Sequence, residues 1–390
     1  MDTYQTRRNS VNNIILLTLF FMYQYISKGN YPDTYGNLIA LLCFAFAGIK
    51  ILFQCIKKHF KVNPYMQKNV YYFTLFIFVG FSLLYFVGTG RFDLLGALIV
   101  CLAIHDWYSE AFFEWTGIIA STLYGIHLLL YKLGYIKEFV SSIERLTVEG
   151  MTYRLALGFD HPNFTAAFIL CIVAAAIGCT RQQYKAAFGC IALIYALISY
   201  SYTNSRTALY AVVLSLVLLI ISIFVHNRHI YWAFPLAVLI SIGYQLYLSL
   251  SFHDDGAVNF RWSQRPGIMY NYLVTEGVHL LPNPDVKELI TGGASIDSFW
   301  FNLIFCAGLL IAVGIFILLF TLCRYTSLHG YTNITFITIS YMIYGFSENH
   351  VLDFGYGILT ILIFMPVIYP TFFADNMRRR FNQTVSVPTQ

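Results

Sequence analysis

TALYAVVLSLVLLIISIFV, residues 207–225, decides the fold. It is nineteen residues long and carries no charge, close to the roughly 20 apolar residues a helix needs to cross the hydrocarbon core of a bilayer. Lipid offers no partner for backbone N–H and C=O groups, so a span must be a helix or part of a closed barrel. A barrel strand alternates apolar and polar residues, and this run does not alternate.

The same pattern extends over the whole chain. Of 390 residues, 58% are hydrophobic and only 11% charged, which rules out a soluble globular protein. Apolar runs centre on residues 11–27, 37–56, 70–88, 94–107, 115–133, 163–179, 186–200, 207–225, 230–250, 297–323, 331–346 and 354–373. The expected fold is therefore an all-α polytopic membrane protein of about twelve spans, one integral membrane domain over residues 1–390. The first run follows Arg7 and Arg8 but has no small-residue cleavage site, so it is expected to be retained as a span.

Basic residues orient the bundle. Arg7, Arg8, Lys57, Lys58, Lys61, Lys68, Arg181, Lys185, Arg228, Arg324 and Arg378 to Arg380 all fall on one side of the alternating spans, which the positive-inside rule makes cytoplasmic. Both termini are then cytoplasmic. The two long loops, about 134–162 and 251–296, are extracytoplasmic. The net charge of +5 is small and dispersed, leaving no footprint for nucleic acid. Eight cysteines lie in or beside apolar runs without CxxC or Cys/His spacing, so neither a disulfide framework nor a metal site is expected. Walker, GxGxxG and GxSxG motifs are absent, so nucleotide hydrolysis and a serine elbow lack a motif.

Chemistry should reside at the outer ends. Arg206, between Ser205 and Thr207, opens a helix at its positive dipole end, where a cation wants an anion and where N–H groups, hydroxyls and a guanidinium can seat a diphosphate. Arg154 to Asn163 reads RLALGFDHPN. In it Asn163 or Asp160 can cap the next helix, capping alone would explain Asn163, and Asp160 and His161 could hold a sugar hydroxyl. Arg154 is either a surface ion-pair partner of Glu144 or Glu149, or a second anion ligand. In the large loop, Arg261 and Arg265 are four residues apart. They share a face if residues 259–272 form one helix, with Trp262 as a sugar-stacking surface. Asp297 opens the next span, as a cap or a proton acceptor. Glu348, beside Asn349, His350 and Asp353, is a rival general base, and His350 another glycan contact.

Together the segments RLALGFDHPN, SYTNSRTALY and IDSFWFNLIFCAGLLIAVG resemble the O-antigen polymerase and ligase superfamily of Wzy and WaaL types, over about residues 150–355. The capsular and exopolysaccharide repeat-unit polymerases are the nearest in kind. The resemblance implies a GT-C-like helical fold in a bacterial plasma membrane. It implies a metal-independent glycosyltransferase, without cofactor, that moves a growing glycan from undecaprenyl diphosphate to a lipid-linked repeat unit on the outer face. It assigns diphosphate binding to Arg206 and also to Arg154, Arg261 and Arg265, and it makes a flippase and a chain-length regulator plausible partners. Where ligase relatives carry a histidine, this chain has Asp297. A glycan ligase is the alternative of the same chemistry. A lipid-linked oligosaccharide flippase or secondary transporter is the alternative of another class, for which midplane polar groups and broken helices would speak. The polymerase reading further expects Arg206 and the Arg261/Arg265 pair to face one chamber.

Overall fold

The computed structural model describes residues 2–56, 68–89, 92–104, 107, 109–138, 143–147, 150–262, 264–282, 296–348, 351–352 and 358–368. The described residues of each apolar run lie largely on helix. In order these are α1 (Asp2–Lys28), α2 (Asp33–Ile56), α3 (Lys68–Thr89), α4 (Asp93–Ala103), α5 (Ser109–Lys132), α6 (Phe164–Gly178), α7 (Gln182–Thr203), α8 (Arg206–Phe224) and α9 (Ala233–Phe252). Next come α10 (Gly256–Arg261), α11 (Arg265–Thr275), the single turn α12 (Phe299–Asn302), α13 (Leu309–Leu328), α14 (Asn333–Gly345) and α15 (Leu359–Ile368).

Among the described residues, five helical segments are long and apolar enough to cross a membrane: Thr34–Ile56, Gln182–Thr203, Arg206–Phe224, Ile230–Phe252 and Leu309–Leu328. Their outward faces make the same point. Leu193, Ile194 and Leu197 on α7, Val213, Leu214, Val217 and Ile220 on α8, and Leu236, Leu239 and Ile240 on α9 are exposed at helical spacing. Apolar stripes of this size would drive aggregation in water and are at home against lipid tails. The protein is a helical membrane protein.

The centre is α6. Nearly every residue of its fifteen is buried, the mark of a helix apolar all round. It packs against α5, α7, α8 and α14. Ala166, Ala167, Cys171, Ala174, Ala175 and Ala176 let those neighbours approach closely, as small residues do where no aqueous hydrophobic force drives helices together. Several buried polar groups inside the bundle are paired. The Tyr124 and Ser199 hydroxyls lie 2.6 Å apart, and His127 bridges the Tyr31 hydroxyl and the Leu157 carbonyl while stacking on Phe159. Lys50 donates to Asn13.

The all-α class holds, with an antiparallel hairpin in the loop after α5, β1 (Ile143–Thr147) and β2 (Gly150–Arg154). Two expectations need correction. Residues 259–272 are not one helix: α10 stops at Arg261, Gln264 turns through φ 65°, and α11 restarts with Pro266 in its first turn. Proline is tolerated in a first turn but not in a helix interior, so Arg261 and Arg265 do not share a helical face. The run 297–323 is also broken. After α12 the chain makes a π-helical turn, Leu303–Ala307, then leaves helical geometry at Gly308 with φ 87°. There the Leu309 and Leu310 N–H groups donate to the His279 and Leu280 carbonyls.

Gly308 is required twice over. Its φ is open only to glycine at low cost, and a Cβ would stand 2.6 Å from the Leu281 carbonyl carbon. Gly308→Ala should therefore lower stability by roughly 2 kcal/mol or more, read as a fall in thermal midpoint in detergent. Gly243→Ala in α9, where a Cβ meets nothing within 4 Å, should leave the midpoint level or slightly raised. Equal behaviour of the two variants would contradict the turn described at Gly308.

Candidate functional site

One end of the bundle gathers the chain's distant polar segments. Gly29 pairs with Phe159, and the Asn30 amide donates to the Lys137 carbonyl. The end of the hairpin meets the end of α7, because Arg154 Nε donates to the Thr203 carbonyl at 2.9 Å. Gln245 of α9 donates to the Phe346 carbonyl and accepts from the Ser298 hydroxyl. These contacts join segments far apart in sequence.

Among these segments runs a chain of side chains. Arg154, 8% exposed, donates from Nη2 to Asn163 Oδ1 at 3.1 Å. The Ser205 hydroxyl donates to the same Oδ1, and Asn163 Nδ2 donates to Glu348 Oε1 at 2.5 Å. Glu348 is 4% exposed. Its Oε1 lies 3.8 Å from Arg265 Nη2, which also donates to Asp297 Oδ2 at 3.3 Å and to the Ser347 carbonyl at 3.0 Å. The sequence from one end to the other is Arg154, Asn163, Glu348, Arg265, Asp297.

Local folding explains why these groups converge. Arg154 ends β2, Asn163 immediately precedes α6, and Glu348 follows α14 closely. Arg265 opens α11, whose Met269 and Tyr272 pack with Ile296, Phe301 and Phe305 in a small separate apolar cluster. That cluster clamps α11 against the segment carrying Asp297 and Ser298. Beside it lies a crevice enclosing about 290 Å³ with its open mouth, lined by Gln245, Trp262, Arg265, Ser298 and Phe346 among others. The Trp262 ring stands edge-on to Tyr244 and Phe346.

The structure thus brings together Arg154, Arg265, Asp297, Glu348 and, at the crevice, Trp262. It leaves others apart. Arg206 starts α8 next to Ser205 but is exposed, and it is not among the residues lining either the Trp262 crevice or the cleft beside Ser205 and Thr203. Among the described residues, neither of these two clefts is lined by both Arg206 and Arg265. Asp160 is exposed, while His161 lends Nδ1 to the Asn163 N–H. Arg261 lies at the end of α10 with its side chain outside the described residues, as is the whole of His350.

Two expected helix caps turn out otherwise. Asn163 makes no side-chain cap to α6, and its amide is committed to Arg154, Ser205 and Glu348. Ser298, not Asp297, occupies the N-cap position of α12, and Asp297 instead pairs with Arg265. Reading the sequence takes Asn163 for a cap and Ser205 for part of a diphosphate seat beside Arg206, and it does not single out Gln245 or Ser298. Only the clustering of polar residues at run ends hinted at them.

Electrostatics single out Glu348. Burial pushes its carboxyl up to about 8, with the Asp297 charge adding to the rise and Arg265, Asn163 and Arg154 opposing it. Placing charges out of water costs several kcal/mol each unless they are paired and hydrogen-bonded, so the carboxyl keeps its proton at neutral pH. The folded state then holds this proton more tightly than the unfolded chain, so its contribution to stability falls as pH rises from about 4.5 to about 8. Difference infrared titration, with Glu348→Gln as the blank, should show the carboxyl ionising near pH 8. Ionisation complete by pH 6 would contradict the burial described.

Among the described residues, no three of His, Cys, Asp and Glu cluster as metal ligands. Comparison with protein-family models, curated proteins and solved structures finds no match to this chain.

Proposed function

We propose that the chain is a polysaccharide polymerase of the Wzy kind, with twelve spans in a GT-C-like arrangement, both termini in the cytoplasm and its site on the outer face of a bacterial plasma membrane. It transfers the growing glycan from undecaprenyl diphosphate to a lipid-linked repeat unit. One observation carries the reading: a protonatable buried carboxylate, Glu348, beside a largely buried arginine whose Nε has no hydrogen-bond partner among the described residues, at a crevice carrying an indole. Glycosyl transfer from a diphosphate needs a proton acceptor, a cation for the leaving group and a surface for sugar.

The reaction balances on these residues. The acceptor hydroxyl gives its proton to the Glu348 carboxylate as its oxygen bonds to the anomeric carbon. The bond from that carbon to the diphosphate oxygen breaks, and its electron pair leaves with the diphosphate. Arg265, with a spare Nε–H, meets the new negative charge, and Arg154 holds positive potential behind Glu348. Asp297, half-exposed and salt-bridged to Arg265, orients that guanidinium and is the weaker candidate for base. Trp262 offers a stacking face to the glycan. Arg206, exposed at the start of α8, captures the diphosphate at the membrane surface before transfer. Asp160 and His161 flank the entry.

A ligase would use the same chemistry with another acceptor. A transporter is favoured by one feature, the break at Gly308. That break precedes a full-length apolar helix, α13, and so sits at a membrane face and not at the midplane where transporters place their sites.

The test is polymer formation by purified protein, supplied with the lipid-linked repeat unit that accumulates when its gene is deleted in the host. Arg265→Ala should cut kcat by about 100- to 1,000-fold, as deletion of one electrostatic donor to a transition state does. Arg206→Ala should chiefly raise KM. Wild-type kcat in a well-folded Arg265→Ala would reject the mechanism. The wild-type rate should rise with pH to a plateau above about 8, following Glu348, and a rate falling over pH 6 to 8 would exclude Glu348 as base.

A further inference from the structure

Asn163 stands where helix α6 begins, yet it gives up the cap that asparagine ordinarily supplies there, worth about 1 kcal/mol. Its backbone N–H is taken by His161 Nδ1. Its side-chain oxygen accepts from two donors, Arg154 Nη2 and Ser205 Oγ. The Ser205 hydroxyl could accept as well as donate, but a guanidinium has no acceptor atom, so Arg154 can meet only the Asn163 oxygen. The amide is therefore locked in one of its two flipped states.

We infer that Asn163 is a positioning residue for Glu348: with Oδ1 held by Arg154 and Ser205, its NH2 must donate to Glu348 Oε1, so the proton of Glu348 is carried on Oε2. Arg265 Nη2 also faces Oε1, at 3.8 Å, so both donors favour negative charge on that oxygen. Oε2 is left as the atom that takes and releases the proton. This rests on Glu348 being the base of the proposed transfer, but the placement of the proton does not depend on which reaction uses it. Among the described residues, the charged groups facing Glu348 are Arg154, Arg265 and Asp297; His350 and Asp353 lie outside them.

Replacing the NH2 by an oxygen turns a donor into an acceptor and sets a second carboxylate against the first. In Asn163→Asp, the infrared midpoint of the Glu348 carboxyl should rise by about one unit or more, and the rate at pH 7 should fall about tenfold while recovering at higher pH. A residue that merely held the fold together would lower the rate equally at every pH. The double variant Asn163→Asp with Glu348→Gln supplies an amide donor on the other side, so its thermal midpoint in detergent should recover relative to Asn163→Asp alone. This comparison remains available if the single variant folds poorly. An unmoved carboxyl midpoint in Asn163→Asp, or no recovery in the double variant, overturns the inference. If Glu348→Gln instead polymerises at the wild-type rate while the infrared shift appears, the assignment of Glu348 as base fails and the role of Asn163 in placing its proton stands.

Discussion

The contact between Asn163 and Glu348 is the constraint on which the rest of this site depends. It joins residues 185 positions apart and carries a chain of charge from Arg154 on one side to Arg265 and Asp297 on the other. Beside a membrane interior, charges cannot be left without partners, and a buried pair stripped of one member is destabilised by about 3–5 kcal/mol. The hairpin end, the starts of α6 and α11, and the end of α14 are therefore held together by the same few bonds. The apolar packing of α6 on α5, α7, α8 and α14 brings these ends near each other. The polar chain fixes how they meet.

Much of the helical frame was legible. Runs such as residues 207–225 appear almost residue for residue as α8, because a lipid-spanning helix is specified by length and apolarity alone. What was not legible lies where two local rules compete or where a partner is distant. The break at Gly308 hides inside an unbroken apolar run, and the segment at Leu280 and Leu281 that packs on it is a distant partner that hydropathy does not record. The break between α10 and α11 is legible in Pro266, which is tolerated in a first turn and not in a helix interior.

The site shows the same division. Arg154, Asp297 and Glu348 could be picked out as ionisable residues at run ends, and they converge. Arg206 stands out because a helix start favours an anion, and its side chain is exposed at the start of α8, where helix position alone does not say what it meets. Asn163 looked explained by capping, since a polar residue before a helix usually is. Its real partners are a guanidinium, a hydroxyl and a carboxyl from three other segments, and no local pattern announces them. The physical lesson is that position along a span gives depth, while burial and pairing give function.

The proposed reaction places a raised carboxylate and a guanidinium with a spare donor side by side, so that proton acceptance and leaving-group stabilisation occur within one polar chain. The measurement that addresses this most directly is stoichiometry. Purified protein in lipid nanodiscs, given the lipid-linked repeat unit from the gene-deleted host, should release one undecaprenyl diphosphate for every new glycosidic bond. Movement of intact lipid-linked units across a sealed vesicle membrane, with no new glycosidic bond and no released diphosphate, would contradict the account.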